Sequence, residues 1–183
     1  MPMIAIIGRP GSGSSTTARL LAKKLKLRHF SVGGHIKKQQ HKSTEAEAIV
    51  SYWKTNGRDA SYNKEMDDLA MKEARKGNVV IDGKLAIHFL KNTAHFKVWL
   101  DCPLKVRAIR YSQRDKIKPE EAAKIIKDTE AAHIKYWREM YSINPFDQEF
   151  EADVVIDTSK KDSDEVVYEI IQKMKEFNIS LKQ

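Results

Sequence analysis

Short apolar runs alternate with longer amphipathic stretches along this chain. Apolar and β-branched residues gather at Met3–Ile7, Asn78–Ile81, Phe96–Leu100 and Asp153–Ile156, with a weaker run at His29–Val32. Each is short enough to be a strand buried in a parallel sheet. Helix-period patterns lie between them, at Ser15–Lys26, His35–Gln40, Glu45–Thr55, Tyr62–Lys76, Pro103–Arg114, Pro119–Tyr141 and Asp162–Phe177. Gly77 reads as a helix C-cap directly before a strand, and Pro119 as the first-turn residue of a long helix. Strand–helix alternation of this kind predicts an α/β fold with a five-stranded parallel sheet and helices on both faces, built as a single domain. Its binding crevice should open at the C-terminal ends of the strands.

The first turn carries the most chemistry. After the opening apolar run come Gly8-Arg9-Pro10-Gly11-Ser12-Gly13-Ser14-Ser15-Thr16 and then a helix rich in Ala, Leu and Lys. Strand, glycine-rich turn and helix are the layout of a phosphate-binding P-loop, hence of a P-loop NTPase three-layer sandwich. Glycines at 8, 11 and 13 allow successive N–H groups to turn inward around an anion, and the helix N-terminus adds partial positive charge. Ser15 supplies the hydroxyl that such loops place on Mg²⁺. The lysine of the pattern is missing, because Ser14 stands in its place. The plain alternative is a Gly/Ser turn capping an ordinary helix.

Charge and composition narrow the choice. The 183 residues suit one domain with a substantial core, and 41% hydrophobic content suits a globular protein. No apolar run approaches the ~20 residues of a membrane span, and no signal-peptide pattern is evident, so a cytoplasmic protein without a membrane partner is expected. A lone cysteine, Cys102, excludes an internal disulfide and fits a reducing compartment. The net charge of +8 invites a nucleic-acid partner. Yet the basic residues are dispersed and mixed with acids, and lysine-rich helix surfaces around a polyphosphate site account for them equally well.

Two further groups of residues suit phosphate chemistry. Asp82 closes the apolar run Val79-Val80-Ile81 and precedes Gly83 and Lys84. A carboxylate at a strand end beside a P-loop can hold Mg²⁺, whereas capping the next helix is its ordinary alternative. Lys84 is placed to reach a substrate phosphate. Arg107, Arg110 and Arg114, spaced by three and four, share one helix face and suit a polyphosphate clamp, with Ala108 and Ile109 turned to the core. A solvated basic face is the bland reading of the same stripe. Asp157-Thr158-Ser159 is either a nucleotide-contacting loop or an ordinary turn. The aromatics Tyr52, Trp53, Tyr136, Trp137 and Tyr141 fall at helical spacing and read as packing, and the six histidines show no metal-ligand spacing.

With these residues in view, the chain resembles small nucleoside monophosphate kinases, specifically the archaeal-type cytidylate kinase family, from about Met3 to Lys173. The resemblance is carried by the N-terminal loop, Phe30-Ser31-Val32-Gly33, Lys64-Glu65-Met66-Asp67-Asp68, and Gly77 through Leu85. It continues through Trp99 to Arg107, Ile109-Arg110 with Arg114, Arg138 to Ile143, and Asp153 to Ser159. It implies ATP-dependent phosphorylation of CMP or dCMP with Mg²⁺ held by Ser15 and Asp82. It implies ATP on residues Gly8 to Thr16 and the acceptor nucleotide near Gly33, Lys37, Asp82, Gly83 and Lys84. An insert around residues 33–76 would bind the monophosphate, a short lid would lie near residues 114–119, and Arg107, Arg110 and Arg114 would act on the transferring group. Members of the family often carry a small hydroxyl residue at the position of Ser14. The chain departs from them at Gly34, at Lys37 and Lys84 where arginine is usual, and at 128–130 and 135–137, where an arginine-rich stretch is usual.

The expected partners are therefore ATP and CMP or dCMP, with no nucleic acid, on a monomer. Two alternatives stay open at this point. The acceptor is UMP, AMP or another small molecule, or the chain is a degenerate P-loop protein that binds nucleotide without turnover.

Overall fold

The computed structural model describes residues 2–39 and 60–179. Five strands form one parallel sheet: β1 (Met3–Gly8), β2 (Arg28–Ser31), β3 (Val79–Asp82), β4 (Phe96–Asp101) and β5 (Val154–Asp157), ordered β2-β3-β1-β4-β5. The expected strands are all present, with β1, β3, β4 and β5 each ending one residue further than the apolar pattern suggests. In β3 that extra residue is Asp82, aligned with Ile6 on one side and Ser31 on the other. Ladder pairing thus holds a carboxylate at the strand's end in fixed register with the start of the first loop.

Seven helices cover the described sheet: α1 (Ser14–Leu25), α2 (Val32–Gln39), α3 (Ala60–Arg75), α4 (Ala86–Leu90), α5 (Leu104–Asp115), α6 (Pro119–Tyr141) and α7 (Ser163–Glu176). The expected helix Glu45–Thr55, with Tyr52 and Trp53, and the middle of the expected insert lie outside the described residues. The period-2 alternation of β1 divides the core. Ile4 and Ile6 meet Leu21 of α1 and Val167 and Ile170 of α7 on one face. Ala5 and Ile7 meet Ile87 and Leu90 of α4 and Ala74 of α3 on the other. A smaller cluster joins α5 to α6 through Ala108, Tyr111, Ala122 and Ile126. Ala108 faces inward as expected; Ile109 is 41% exposed and does not.

Local signals set the helix ends. Asp162 accepts from the Asp164 and Glu165 amides while Glu165 reaches back to the Asp162 amide, a full capping box for α7. Pro119 opens α6, with Glu120 and Glu121 placed against the helix dipole. Helix α4 is absent from the sequence reading, because five residues show no period. Tertiary contacts define it: Gln148 accepts from the His88 amide at 3.0 Å and donates to the Lys84 carbonyl at 2.7 Å.

A partly buried polar contact ties helix α3 to α6. The Tyr141 hydroxyl, in the last turn of α6, donates to Asp67 at 2.8 Å. Burial pushes the Asp67 carboxyl up from 3.8 to about 6, with neighbouring Asp68 adding to the rise and the Tyr141 bond opposing it. Between those two values the folded chain keeps a proton that the unfolded chain has lost. Stability therefore falls as pH rises from 3.8 to about 6 and is level above. Asp67→Asn removes this dependence and can still accept from Tyr141. Urea unfolding from pH 4 to pH 7 should show the variant gaining on the parent by about 2–3 kcal/mol; a difference that stays constant across this range refutes the assignment.

Candidate active site

A cleft of about 1160 Å³ opens at the C-terminal ends of β1, β2 and β3. Its floor is the Gly8–Thr16 turn, all of which lines it. The turn is tight for steric reasons. A Cβ at Gly8 would collide with the Leu100 carbonyl oxygen and with Ser12 Oγ, so only glycine lets the loop lie against β4. Gly13 caps α1 in the left-handed region at φ 98°, which turns the chain straight into the helix. The Ser12 amide donates to the Arg9 carbonyl at 2.9 Å, and the Thr17 amide to Gly13 at 2.9 Å. With no side-chain cap on α1, its first amides remain available to an anion.

Asp82 lies beside the loop, at the end of the neighbouring strand β3. It is only 5% exposed, and three side chains from other elements converge on it. Ser15 Oγ donates to Oδ1 at 3.0 Å, Ser31 Oγ donates to Oδ1 at 2.9 Å, and His29 Nε2 lies 2.6 Å from Oδ2. Ser31 in turn accepts from the Gly34 amide at 3.1 Å, which fixes the first turn of α2. The carboxylate is thus held by α1, β2 and its own strand. Sequence reasoning found Asp82 and Ser15 but missed His29 and Ser31; the signal available was their period-2 spacing on β2, with both side chains on the same face.

The Ser15 hydroxyl and the Asp82 carboxylate are hard oxygen donors within one hydrogen bond of each other. Mg²⁺ is typically held by one or two such protein oxygens, with phosphate and water completing its shell. The pair therefore fits Mg²⁺. No cluster of three or more His, Cys, Asp or Glu suited to a metal occurs among the described residues.

The arginine stripe divides into three roles. Arg107 is 5% exposed and points beneath the loop. Its Nε donates to the Cys102 carbonyl at 3.0 Å, and one terminal nitrogen donates to the Pro10 carbonyl at 3.1 Å and to Glu130 at 2.8 Å. Arg9 joins the same network, 3.6 Å from Asp101 and from Glu130, with its guanidinium over the Phe146 ring. Arg110 reaches the cleft and donates to Thr158 Oγ1 at 2.9 Å, to the Lys161 carbonyl at 3.2 Å and to the Ser12 carbonyl at 3.4 Å. Thr158 Oγ1 also donates to the Ser12 carbonyl at 3.1 Å, so the Asp157-Thr158-Ser159 turn is tied directly to the loop. Arg114 stacks over Tyr111 and pairs with Asp115 at 2.8 Å.

Other expected positions fall as follows. Gly33, Gly83 and Lys84 line the cleft, as do Ser14 and Thr16. The Lys37 side chain lies outside the described residues. On α6, Thr129 and His133 are buried, and burial holds the His133 imidazole well below its ordinary pKa, as a neutral ring. Cys102 lies under the arginines, and burial pushes its thiol up. Glu130, one of the residues standing where arginines are usual, is the carboxylate that neutralises Arg107 and approaches Arg9.

Comparison with known proteins agrees with this geometry. A family model described as the cytidylate kinase-like family matches residues 3–160. The protein called cytidylate kinase in Methanocaldococcus jannaschii is 34% identical over 163 residues, 87% of this chain and 90% of that one. Its counterpart in Ignicoccus hospitalis is 35% identical over 178 residues, 95% of this chain and 99% of that one. In fold, the chain is similar to a shikimate kinase from Acinetobacter baumannii solved with shikimate, at TM-score 0.67, 18% identity and coverage of 98% and 96%. Because the family match runs from β1 through the loop, Asp82 and the arginine helix to the Thr158 turn, this chain belongs to the cytidylate kinase-like family.

Proposed function

We propose that this protein transfers the terminal phosphoryl group of ATP to CMP or dCMP, giving ADP and the corresponding diphosphate. One observation carries the reading within the family: an open anion-binding turn and a buried, triply held carboxylate, joined through Ser15, border one large cleft. Pockets for one small ligand reach ~1,000 Å³, so this cleft has room for a donor and an acceptor together. The same reading makes the protein a cytoplasmic monomer whose partners are small nucleotides and not nucleic acids. No described helix is long and apolar enough to cross a membrane.

In this mechanism the amides of Gly11 to Thr16 hold the donor's β-phosphate. Ser15 and Asp82 would hold Mg²⁺, which when bound would offset the charge of the donor phosphates. Lys84, Lys37 and the turn at Gly33 and Gly83 hold the acceptor's phosphate. That phosphate is already an oxyanion, so attack on the γ-phosphorus needs no strong base, and positioning and electrostatics supply the rate.

The arginines act in different ways. Arg107, neutralised by Glu130 and bonded to Pro10, positions the loop. Among the described residues Arg110 is bonded to neutral oxygen and sulfur atoms and to no carboxylate, and its field reaches the transferring group. Arg114, exposed beside the three-residue joint between α5 and α6, leaves Asp115 by side-chain rotation when the joint closes as a lid.

The deciding experiment is a coupled ADP-release assay with Mg-ATP against CMP, dCMP, UMP, AMP and GMP. Turnover should be greatest with CMP or dCMP. Preference for UMP or AMP overturns the acceptor assignment, and silence across the panel with ATP binding intact overturns the phosphotransferase reading. Within a turning-over enzyme, Asp82→Ala should lower kcat by roughly 10²-fold, and Arg110→Ala by at least ~10-fold. An Arg110→Ala enzyme within a factor of two of the parent removes Arg110 from the mechanism.

A further inference from the structure

A loop with Ser14 in place of lysine raises a physical question: which cation meets the donor's phosphates? Four arginines surround the turn, and each is already engaged by the protein. Arg9 faces Asp101 and Glu130, Arg107 is paired with Glu130, and Arg114 is paired with Asp115. Arg110 is held by the Thr158, Lys161 and Ser12 oxygens. One arginine in the cleft differs from these. Arg19 lines the cleft, is exposed, and makes no hydrogen bond or ion pair with the described residues.

Its place on α1 gives it reach. The residues of this helix that turn inward are Thr17, Ala18, Leu21 and Ala22. The opposite stripe, Ser15, Thr16 and Arg19, is exposed and lines the cleft. Arg19 is four residues beyond Ser15, so it shares that residue's face at an axial rise of about 6 Å. Helical side chains lean toward the helix N-terminus, which carries the guanidinium back over Ser15 toward the loop amides. Lys38 also lines the cleft, but from α2, the helix that carries Gly33 and Lys37 of the acceptor site.

We propose that Arg19 substitutes for the absent P-loop lysine, its guanidinium reaching back along α1 to the terminal phosphates of the bound nucleoside triphosphate. The planar fork accepts two phosphate oxygens where an ammonium offers a point charge, so the contact both neutralises and orients the transferring group. It approaches along the helix exterior, whereas a lysine at position 14 would rise from the loop itself. The two positions converge on one set of oxygens. This inference rests on the kinase reading above for its rate measurements, and on ATP binding alone for its affinities.

The test is a double-mutant cycle between positions 14 and 19. Arg19→Gln, Arg19→Lys, Ser14→Lys and the Ser14→Lys/Arg19→Gln double variant are compared by kcat, by KM for each substrate and by calorimetric affinity for ATP and for CMP. Arg19 is exposed, so unchanged thermal unfolding is expected of its variants. Arg19→Gln should lower kcat/KM for ATP by at least ~10-fold, Arg19→Lys by less, and neither should weaken CMP binding. Ser14→Lys should restore most of the loss in the Arg19→Gln background, a gain well beyond whatever it does to the parent, which is a non-additivity that independent sites do not show. The proposal is overturned if Arg19→Gln stays within twofold of the parent in both rate and ATP affinity. It is equally overturned if the loss falls on CMP affinity, or if Ser14→Lys acts alike in both backgrounds. Should the parent fail to turn over any acceptor, the kinase reading falls, while the calorimetric ATP affinities of the same variants still decide the role of Arg19.

Discussion

The Asp82 carboxylate is the interaction on which the site depends. Burying an ionisable oxygen pair is unfavourable unless hydrogen bonds replace water, and here the replacements come from separate pieces of chain. Ser15 begins the helix that follows the loop, while His29 and Ser31 belong to the edge strand β2. Satisfying one carboxylate therefore locks the first turn of α1 to β2 and β3. Ser31 extends the lock to α2 through the Gly34 amide. The carboxylate beside the loop is consequently a rigid feature of the sheet, set by ladder register and not by loop packing.

The other side of the loop is held by arginine donors instead of a carboxylate acceptor. Loop carbonyls that turn away from an anion need partners, since an unsatisfied buried carbonyl is costly. Arg107 takes Pro10, and Arg110 with Thr158 takes Ser12. The loop's amides face one way because its carbonyls are claimed from the other. An anion site made of backbone dipoles is thus preorganised by charged side chains that need not touch the anion at all.

Much of this was legible in the chain before its fold. Apolar runs located β1, β3 and β4 clearly, because a strand buried on both faces leaves no polar position to blur the pattern, whereas the two outer strands β2 and β5 are partly exposed and β2 gave the weaker run. The loop and Asp82 were legible for a related reason: both sit at the abrupt end of such a run. The division of labour along the arginine stripe was not. Spacing of three and four places Arg107, Arg110 and Arg114 on one face, but α5 is covered unevenly along its length. Pro10 and Glu130 bury its first arginine, while the last lies at an exposed end. Position relative to neighbouring elements decides this, and no local period encodes it. Glu130 illustrates the point further. Against the expected arginine-rich stretch it reads as a lost ligand, yet it supplies the counter-charge that lets Arg107 lie beneath the loop. Helix α4 was invisible because the Gln148 side chain, about sixty positions downstream, defines it.

These features bear on how a P-loop works with a hydroxyl at position 14. Backbone amides and a helix terminus provide partial charges fixed in direction, adequate for holding a phosphate whose charge does not change. Transfer is different, because charge moves among the oxygens of the γ-group as one bond lengthens and another forms. A cation that follows that movement must have donors not already bound to protein. Arg107 is bonded through two of its nitrogens to Cys102, Pro10 and a neutralising Glu130, so it stabilises the loop equally before and during transfer. Uniform stabilisation tightens binding but does not accelerate the step. Besides the fixed field of Arg110, the groups able to favour the transition state over the bound substrate are those whose contacts form late. Arg114, at the joint, qualifies by moving away from Asp115, and Arg19, exposed on α1, qualifies by reaching back along its helix. The division between arginines that build the loop and arginines that respond to the reaction is the physical sense in which this fold can dispense with the lysine.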